Sequence, residues 1–500
     1  MVQGRDVLVF FVGTLFGQIV TFASGVFVAR WLGPENYGVL SLVRNVYTVT
    51  AILAPLGLDL SLLRHLGENA GDWPRSMAQI RGFRVMTAAI NLALLPVLGF
   101  ILAPWVGAHF YHHDHFALYL GLTFLALPFT ADVAILGASL RALEMPIFQN
   151  LAVLYLQPVL RIGSLVAFLV MGWGISGIIL STTVGVAGAC VAMSIAVTRL
   201  VRKRNLRGHK LDVVDRTAMR AVFGYSGWLA MMLFIYNTLR NVDVLVLGWS
   251  RPMKEVGEYA ALSAIAFVIQ IFPQAVGQTL APVVARRYAE GDLAGVRREL
   301  SEYLRRAVLL SSPIFAGVAV FGPWLDLLFG SRYHFSSGLS FSLALAYLVS
   351  GALGQMGVSL TMTGRHKLEF VVLVIGGAFT FCACVLTAPR FGQVGVALSV
   401  TAGYALLNGV RTVLSARFMG GLDISWRHLV PPLVCLSLAA AWRWVLEANA
   451  PHTLWVGLAA APPLLAAFAA AYWMFLLRPG EKDMIAKRLG RFAPRLGEPT

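Results

Sequence analysis

The sequence predicts an all-α membrane protein with about 14 transmembrane helices, and three observations carry that prediction. Only 13% of the 500 residues are charged while 58% are hydrophobic, with a mean hydropathy of +0.73. A soluble domain carries roughly 25% charge, so this chain needs the bilayer as solvent. Apolar stretches of the length a helix needs to cross, about 20 residues, recur from one end of the chain to the other. Lys and Arg gather in alternate segments between them.

Taken in order, the first seven spans fall near 7–30, 37–62, 84–107, 116–140, 147–171, 175–198 and 221–247. The second seven fall near 258–284, 307–329, 337–362, 368–388, 393–415, 429–448 and 453–477. The first run exceeds the core of a cleavable signal, which is about 7–15 residues, and reads as the first helix. With the N-terminus cytoplasmic, about 31 of the 40 Lys and Arg lie on the inside, as membrane insertion favours. Only Arg30, Arg251, Lys254, Arg332 and Arg390 then lie outside. Both termini are therefore expected in the cytoplasm.

The net charge of +16 does not point to nucleic acid, because the cations sit in short segments between apolar spans. Their expected partner is the anionic lipid of the cytoplasmic leaflet. Cys190, Cys382, Cys384 and Cys435 all lie in apolar runs and read as packing residues, with no disulfide framework or zinc pattern. Every outside connection is short, which leaves no room for the domain an enzyme acting on a large external substrate carries. No G-x-x-x-x-G-K-[ST] sequence occurs, so ATP is not expected to drive the chain directly, and no cofactor is indicated.

The sequence also repeats itself. Trp31–Gly38 follows the first span, and Leu247–Trp249 with Glu255–Ala260 follows the seventh. Glu68–Asp72 matches Ala289–Asp292, and Arg141 matches Arg365. The offsets are about 215, 220 and 224, close to constant over three loops. An even number of spans between copies makes them parallel repeats about an axis along the membrane normal. The expected organisation is a six-helix bundle over 1–200, a basic linker over 201–220, and a second six-helix bundle over 221–416. An additional helix pair follows over 417–478 and a basic tail over 479–500. Duplication within one chain predicts a functional monomer.

Ala29–Gly38, with Leu328-Phe329-Gly330-Ser331-Arg332-Tyr333 and Thr363-Gly364-Arg365, resembles polysaccharide flippases of the Wzx type. The resemblance runs over essentially the whole chain, including the extra helix pair. It implies membership of the multidrug/oligosaccharidyl-lipid/polysaccharide superfamily, whose members include lipid II flippases and multidrug antiporters. It also implies a substrate, undecaprenyl-diphosphate-linked oligosaccharide turned from the inner to the outer leaflet.

A charge in mid-membrane costs about 2.5–3.5 kcal/mol on insertion scales, so ionisable residues inside spans are the site candidates. Arg161 lies deep in its span, one turn after Gln157 and beside Pro158. It is either a cavity-lining cation or the partner of a buried acid. Arg44 either lines the outer cavity or snorkels to the interface. Arg240, near Asn237 and Asn241, can pair with Asp243 three residues on. Gln270, Gln274 and Gln278 form a stripe for sugar contact or interhelical hydrogen bonds. Asp132 reads as an ion-coupling site or, preferred, as the counter-charge to Arg161; Asp243 carries the same ambiguity.

Arg30 and Arg443 read as interfacial residues, as do Glu369, Asp59 and Asp326. The outer loop with His109, His112, His113, Asp114 and His115 reads as solvated, with a metal or pH-sensing role as the alternative. A flippase for lipid-linked oligosaccharide fits this mixed-to-basic set of mid-span charges better than a cation antiporter, which calls for an acidic cavity. A polymerase or ligase lacks its outer loop, and a scaffold leaves the polar stripes without purpose.

Overall fold

A computed structural model describes residues 4–68, 72–111, 113, 115–203, 230–231, 233–422, 426–449, 453–479 and 481–483, apart from some side chains within helices. All regular elements among the described residues are helices. Most of the basic linker, the start of the seventh expected span, His112, Asp114, the Gln278 side chain and the tail from 484 lie outside the described residues.

The helices are α1 (Gly4–Ala51), α2 (Leu58–Glu68), α3 (Trp73–His109), α4 (Phe116–Ala142), α5 (Pro146–Val170) and α6 (Gly174–Lys203). They continue as α7 (Val242–Ser250), α8 (Met253–Ala289), α9 (Leu293–Phe329), α10 (Ser337–Met362) and α11 (His366–Met419). The last two are α12 (Val430–Asn449) and α13 (Leu454–Ala471). Ten helices among the described residues are long and apolar enough to cross a membrane.

The difference from fourteen has a local cause in two of them. α11 has 54 residues, about 80 Å if straight, and its path breaks at Gly392 (φ 56°, ψ −144°). Glu369 bonds Arg411 across that break, so α11 is a folded-back hairpin holding two expected spans. α1 breaks likewise at Gly33 (φ 76°, ψ 170°), followed by Pro34. That backbone region is open to glycine and closed to most other residues.

Two helices start earlier than apolar length alone suggests. α3 and α9 begin at Trp73 and Leu293, ahead of the expected 84 and 307, because aspartates cap them. Asp72 accepts from the Arg75 amide at 3.1 Å and Asp292 from the Gly295 amide at 2.7 Å. Each cap satisfies an amide that the first helical turn leaves orphaned.

Those caps stand 220 residues apart, and the spacing persists. α3 and α9 have 37 residues each. After α4, Leu143 N bonds Ser139 O, Glu144 has φ 57° and Met145 N bonds Leu140 O. After α10, Thr363 N bonds Ser359 O, Gly364 has φ 80° and Arg365 N bonds Leu360 O. The two turns share one helix-ending geometry, with Met145 standing where Arg365 stands. The Arg141–Arg365 match is therefore displaced by four residues from the structural register.

Contacts group residues 1–261 and 377–396 into one compact unit, and residues 262–376 and 397–500 into another. In the first, Leu58, Leu62, Met77, Ile80 and Phe83 pack on Ile135, Leu136, Leu140 and Met193, which joins α2, α3, α4 and α6. In the second, Leu280 and Val284 pack with Leu300, Leu304 and Ala352. There Ala316, Cys435, Ala439 and Phe468 seat α12 and α13 against α9. Lipid gives no hydrophobic drive to such contacts, so small residues that admit close van der Waals packing matter most.

Candidate functional site

Arg161 stands on α5 after an irregular stretch. Leu151–Leu156 is a π-helical turn, a distortion that often marks functional positions, and Pro158 follows. The Arg161 Nη2 donates to Ser24 Oγ at 2.9 Å and to Thr21 Oγ1 at 3.5 Å, both on α1. Across from it, a Cβ on Gly185 of α6 would meet the Gln157 carbonyl oxygen at 2.9 Å and the Arg161 Cβ at 3.1 Å, so glycine lets α5 and α6 close up here. Arg161 has no carboxylate partner among the described residues. Arg44, exposed on the second limb of α1, lies within Coulombic reach of it. The half-buried Gln157 side chain is one turn away.

Asp132 is not the counter-charge to Arg161. Arg84 of α3 grips it with Nε to Oδ1 and Nη2 to Oδ2, both at 2.7 Å. Arg84 also donates to Ser194 Oγ at 2.9 Å, and the Cys190 thiol lies 3.1 Å from Asp132 Oδ2. This two-bond fork between planar groups is the strongest pairing open to arginine. Apolar length alone puts Arg84 at the very start of the expected span 84–107. The cap at Asp72 moves it three turns into the helix, where it can face an acid.

Asp243 does not pair with Arg240 either. Its Oδ2 accepts from the Tyr259 hydroxyl at 2.8 Å and its Oδ1 from the Val244 amide at 2.8 Å, inside the protein. The Arg240 guanidinium is 5.9 Å from the Tyr236 ring centroid. In the second unit Gln274 Nε2 donates to Gln270 Oε1 at 3.2 Å, with Gln270 buried beside Gly351 of α10.

Sequence reading missed a further charged pair there. Glu369, expected at an interface, bonds Arg411, which is 8% exposed and also donates to Asn408 at 3.0 Å. Thr21 and Ser24 were missed too; their signal is a pair of hydroxyls three apart on an apolar helix, one helical face.

The Gly33 end of the first unit holds a second feature. Gly38 sits against the Met253 carbonyl and the Gly257 amide, and Gly257 against the Pro34 carbonyl. Neither position has room for a side chain. Nearby Arg251 pairs with Glu255 at 2.6 Å, next to Gly392. Two glycines thus let the turn after the first span touch the start of α8.

Residues 3–287, more than half of the chain, match the family described as polysaccharide biosynthesis protein. The chain belongs to that family. A second family, MatE, matches residues 229–376. The protein is 22% identical over 466 residues to the "Probable low-salt glycan biosynthesis flippase Agl15" of Haloferax volcanii, covering 91% of this chain and 93% of that protein. It is also 22% identical to the "Uncharacterized membrane protein EpsK" of Bacillus subtilis, covering 84% of each.

Among solved structures, the inward closed conformation of the lipid II flippase MurJ superposes with a TM-score of 0.73 at 13% identity. That match covers 94% of this chain and all of the other. An inward-facing multidrug resistance MATE family transporter of the MOP superfamily gives 0.66 over 83% of this chain and 98% of the other, also at 13% identity. This member of the polysaccharide biosynthesis family is therefore a multi-pass membrane protein with the fold of those transporters, as the resemblance of Ala29–Gly38 implied.

Proposed function

We propose that the protein flips an undecaprenyl-diphosphate-linked oligosaccharide from the cytoplasmic to the outer leaflet by alternating access. The observation that carries this reading is Arg161: a cation within a span, held by two hydroxyls and no acid, with a second cation, Arg44, in reach. An unneutralised arginine in a membrane is costly. An anionic substrate that two arginines can grip with forked hydrogen bonds offsets that cost. The flippase named among the relatives supports the same substrate class.

In this reading the N-terminus is cytoplasmic, and 1–200 and 221–416 act as two parallel six-helix bundles within a monomer of fourteen spans. Rocking of the two bundles against each other would alternate access to the path. Arg240 and, from the Gln270, Gln274 and Gln278 stripe, Gln274 and Gln278 are secondary contacts for the polar headgroup, with the buried Gln270 positioning Gln274. Asp243, with its tyrosine partner, is the candidate coupling acid. Asp132, committed to Arg84, holds helices together.

The test is flipping of a fluorescent undecaprenyl-diphosphate oligosaccharide in proteoliposomes. Transport by the parent and its loss in Arg161→Ala are expected. A second reading, efflux of an organic cation, is favoured by the MatE match and by Asp243, which has no cationic partner among the described residues. Ion-driven cation efflux with no lipid flipping would establish it instead.

A further inference from the structure

The second unit contains a pocket of about 580 Å³ that the flippase reading leaves unused. Trp324, Asp326, His334, Phe335, Arg443 and Glu447 line it. It lies where α9 ends, where the following loop turns back, and where α12 passes. The loop wall is rigid: Phe329, Tyr333 and Phe335 are nearly fully buried, with ring centroids 5.5–5.9 Å apart. The opposite wall belongs to the additional helix pair, so the pocket exists only because that pair is present.

Its polar groups are held in place and incompletely used. Arg443 Nη1 donates to the Val320 carbonyl at 2.6 Å and its Nε to Glu447 Oε1 at 2.7 Å. The remaining Nη2 has no protein acceptor among the described residues. Asp326 Oδ1 is shut away from solvent without a hydrogen-bond donor, an omission that costs about 1–3 kcal/mol when nothing fills it. Asp326 also lines the pocket, so with Oδ1 closed off a bound donor meets the carboxylate through Oδ2.

The charges select the occupant. Asp326 and Glu447 disfavour an anion, and Arg443, which bonds Glu447, disfavours a cation together with the His334 imidazole. No cluster of three metal-ligating side chains exists among the described residues. A neutral molecule rich in hydroxyls fits: its O–H groups donate to Asp326 and Glu447 and its oxygens accept from Arg443. The volume suits one or two sugar rings. We propose that this pocket binds a neutral sugar ring. The flippase reading bears only on where the sugar comes from, the lipid-linked substrate or a free glycan.

The test uses the full chain in lipid nanodiscs with a panel of neutral methyl hexosides and methyl N-acetylhexosaminides, read by saturation-transfer NMR. At least one glycoside is expected to bind saturably, about 10-fold more weakly in Asp326→Asn and in Glu447→Gln, each of which removes a charge-assisted hydrogen bond. Arg161→Ala should bind it as the parent does. Glu447 sits on an exposed helix end, so its variant reports even where Asp326→Asn folds poorly. Displacement by lipid-linked oligosaccharide alone marks the substrate as the source, and displacement by soluble oligosaccharide marks free glycan. Absence of saturable binding, or equal binding in both pocket variants, overturns the proposal. Glycoside binding without lipid flipping would remove the flippase reading and leave the pocket; flipping without glycoside binding would remove the pocket alone.

Discussion

Positions 220 residues apart in α3 and α9 occupy the same place in helices of equal length, yet the two helices are packed differently. Where the first copy has Arg84 gripping Asp132, the second has Leu304 and Ala352, 3% and 5% exposed in an apolar cluster. Where the first has Arg161 on α5, the same spacing from the helix start puts Phe381 in α11. The corresponding positions of α9, α10 and α11 carry no such charges. What separates the two arginines of the first copy is neutralisation: Arg84 is spoken for by a carboxylate, and Arg161 is held by hydroxyls alone. The first reads as a staple, the second as a cation kept for a ligand.

The largest effect should come from breaking the staple on one side. Asp132→Ala leaves the half-buried Arg84 unpaired and should lower stability by about 1–3 kcal/mol, measured by thermal unfolding in detergent. Importing the second copy's residues, Arg84→Leu with Asp132→Ala, should recover most of that loss, because apolar replacement of a whole buried pair is often neutral. A double variant as unstable as the single one would mean the pair is needed for more than packing.

Next, Arg161→Ala removes hydrogen bonds to hydroxyls without stranding a charge and should cost less stability than Asp132→Ala, while abolishing transport. Arg161→Lys keeps the charge but loses the fork and should transport at an intermediate rate in the same vesicles.

A pH-dependent effect sharpens the contrast at a half-buried pair in the second unit. Glu481 bonds Arg305 through both oxygens, at 2.5 and 2.7 Å, and that partner holds its carboxyl down at about 2 from 4.5. A depressed carboxylate contributes stability above its unfolded value and loses it as pH falls toward the folded one. Parent and Glu481→Gln should therefore differ in thermal stability at pH 7 and converge as pH drops from about 4.5 to about 2. A difference that persists at the acid end would show that Glu481 acts by packing.

Much of this was legible in the sequence, and the failures share one cause. The all-helical multi-pass character and the deep arginines follow from apolar length and charge placement, which act along the chain. Partner identity acts across it. Asp132 and Arg161 are both central and opposite in sign, and only the cap at Asp72, by carrying Arg84 into its helix, gives Asp132 a different partner. Arg240 and Asp243 are three apart, but Tyr259 reaches the carboxylate first. Glu369 looks terminal until Gly392 folds α11 back and brings Arg411 alongside. The Arg141–Arg365 match was drawn by residue type, whereas the turns that really correspond are set by positive φ at Glu144 and Gly364.

The central claim, that the acid-free Arg161 grips the substrate diphosphate, is tested most directly by the affinity of purified protein for undecaprenyl-diphosphate oligosaccharide, parent against Arg161→Ala. The account predicts a loss of about 10-fold or more, the scale of a charge-assisted fork, with thermal stability nearly unchanged. Equal affinity, or a loss of affinity that merely follows a loss of folding, would contradict it.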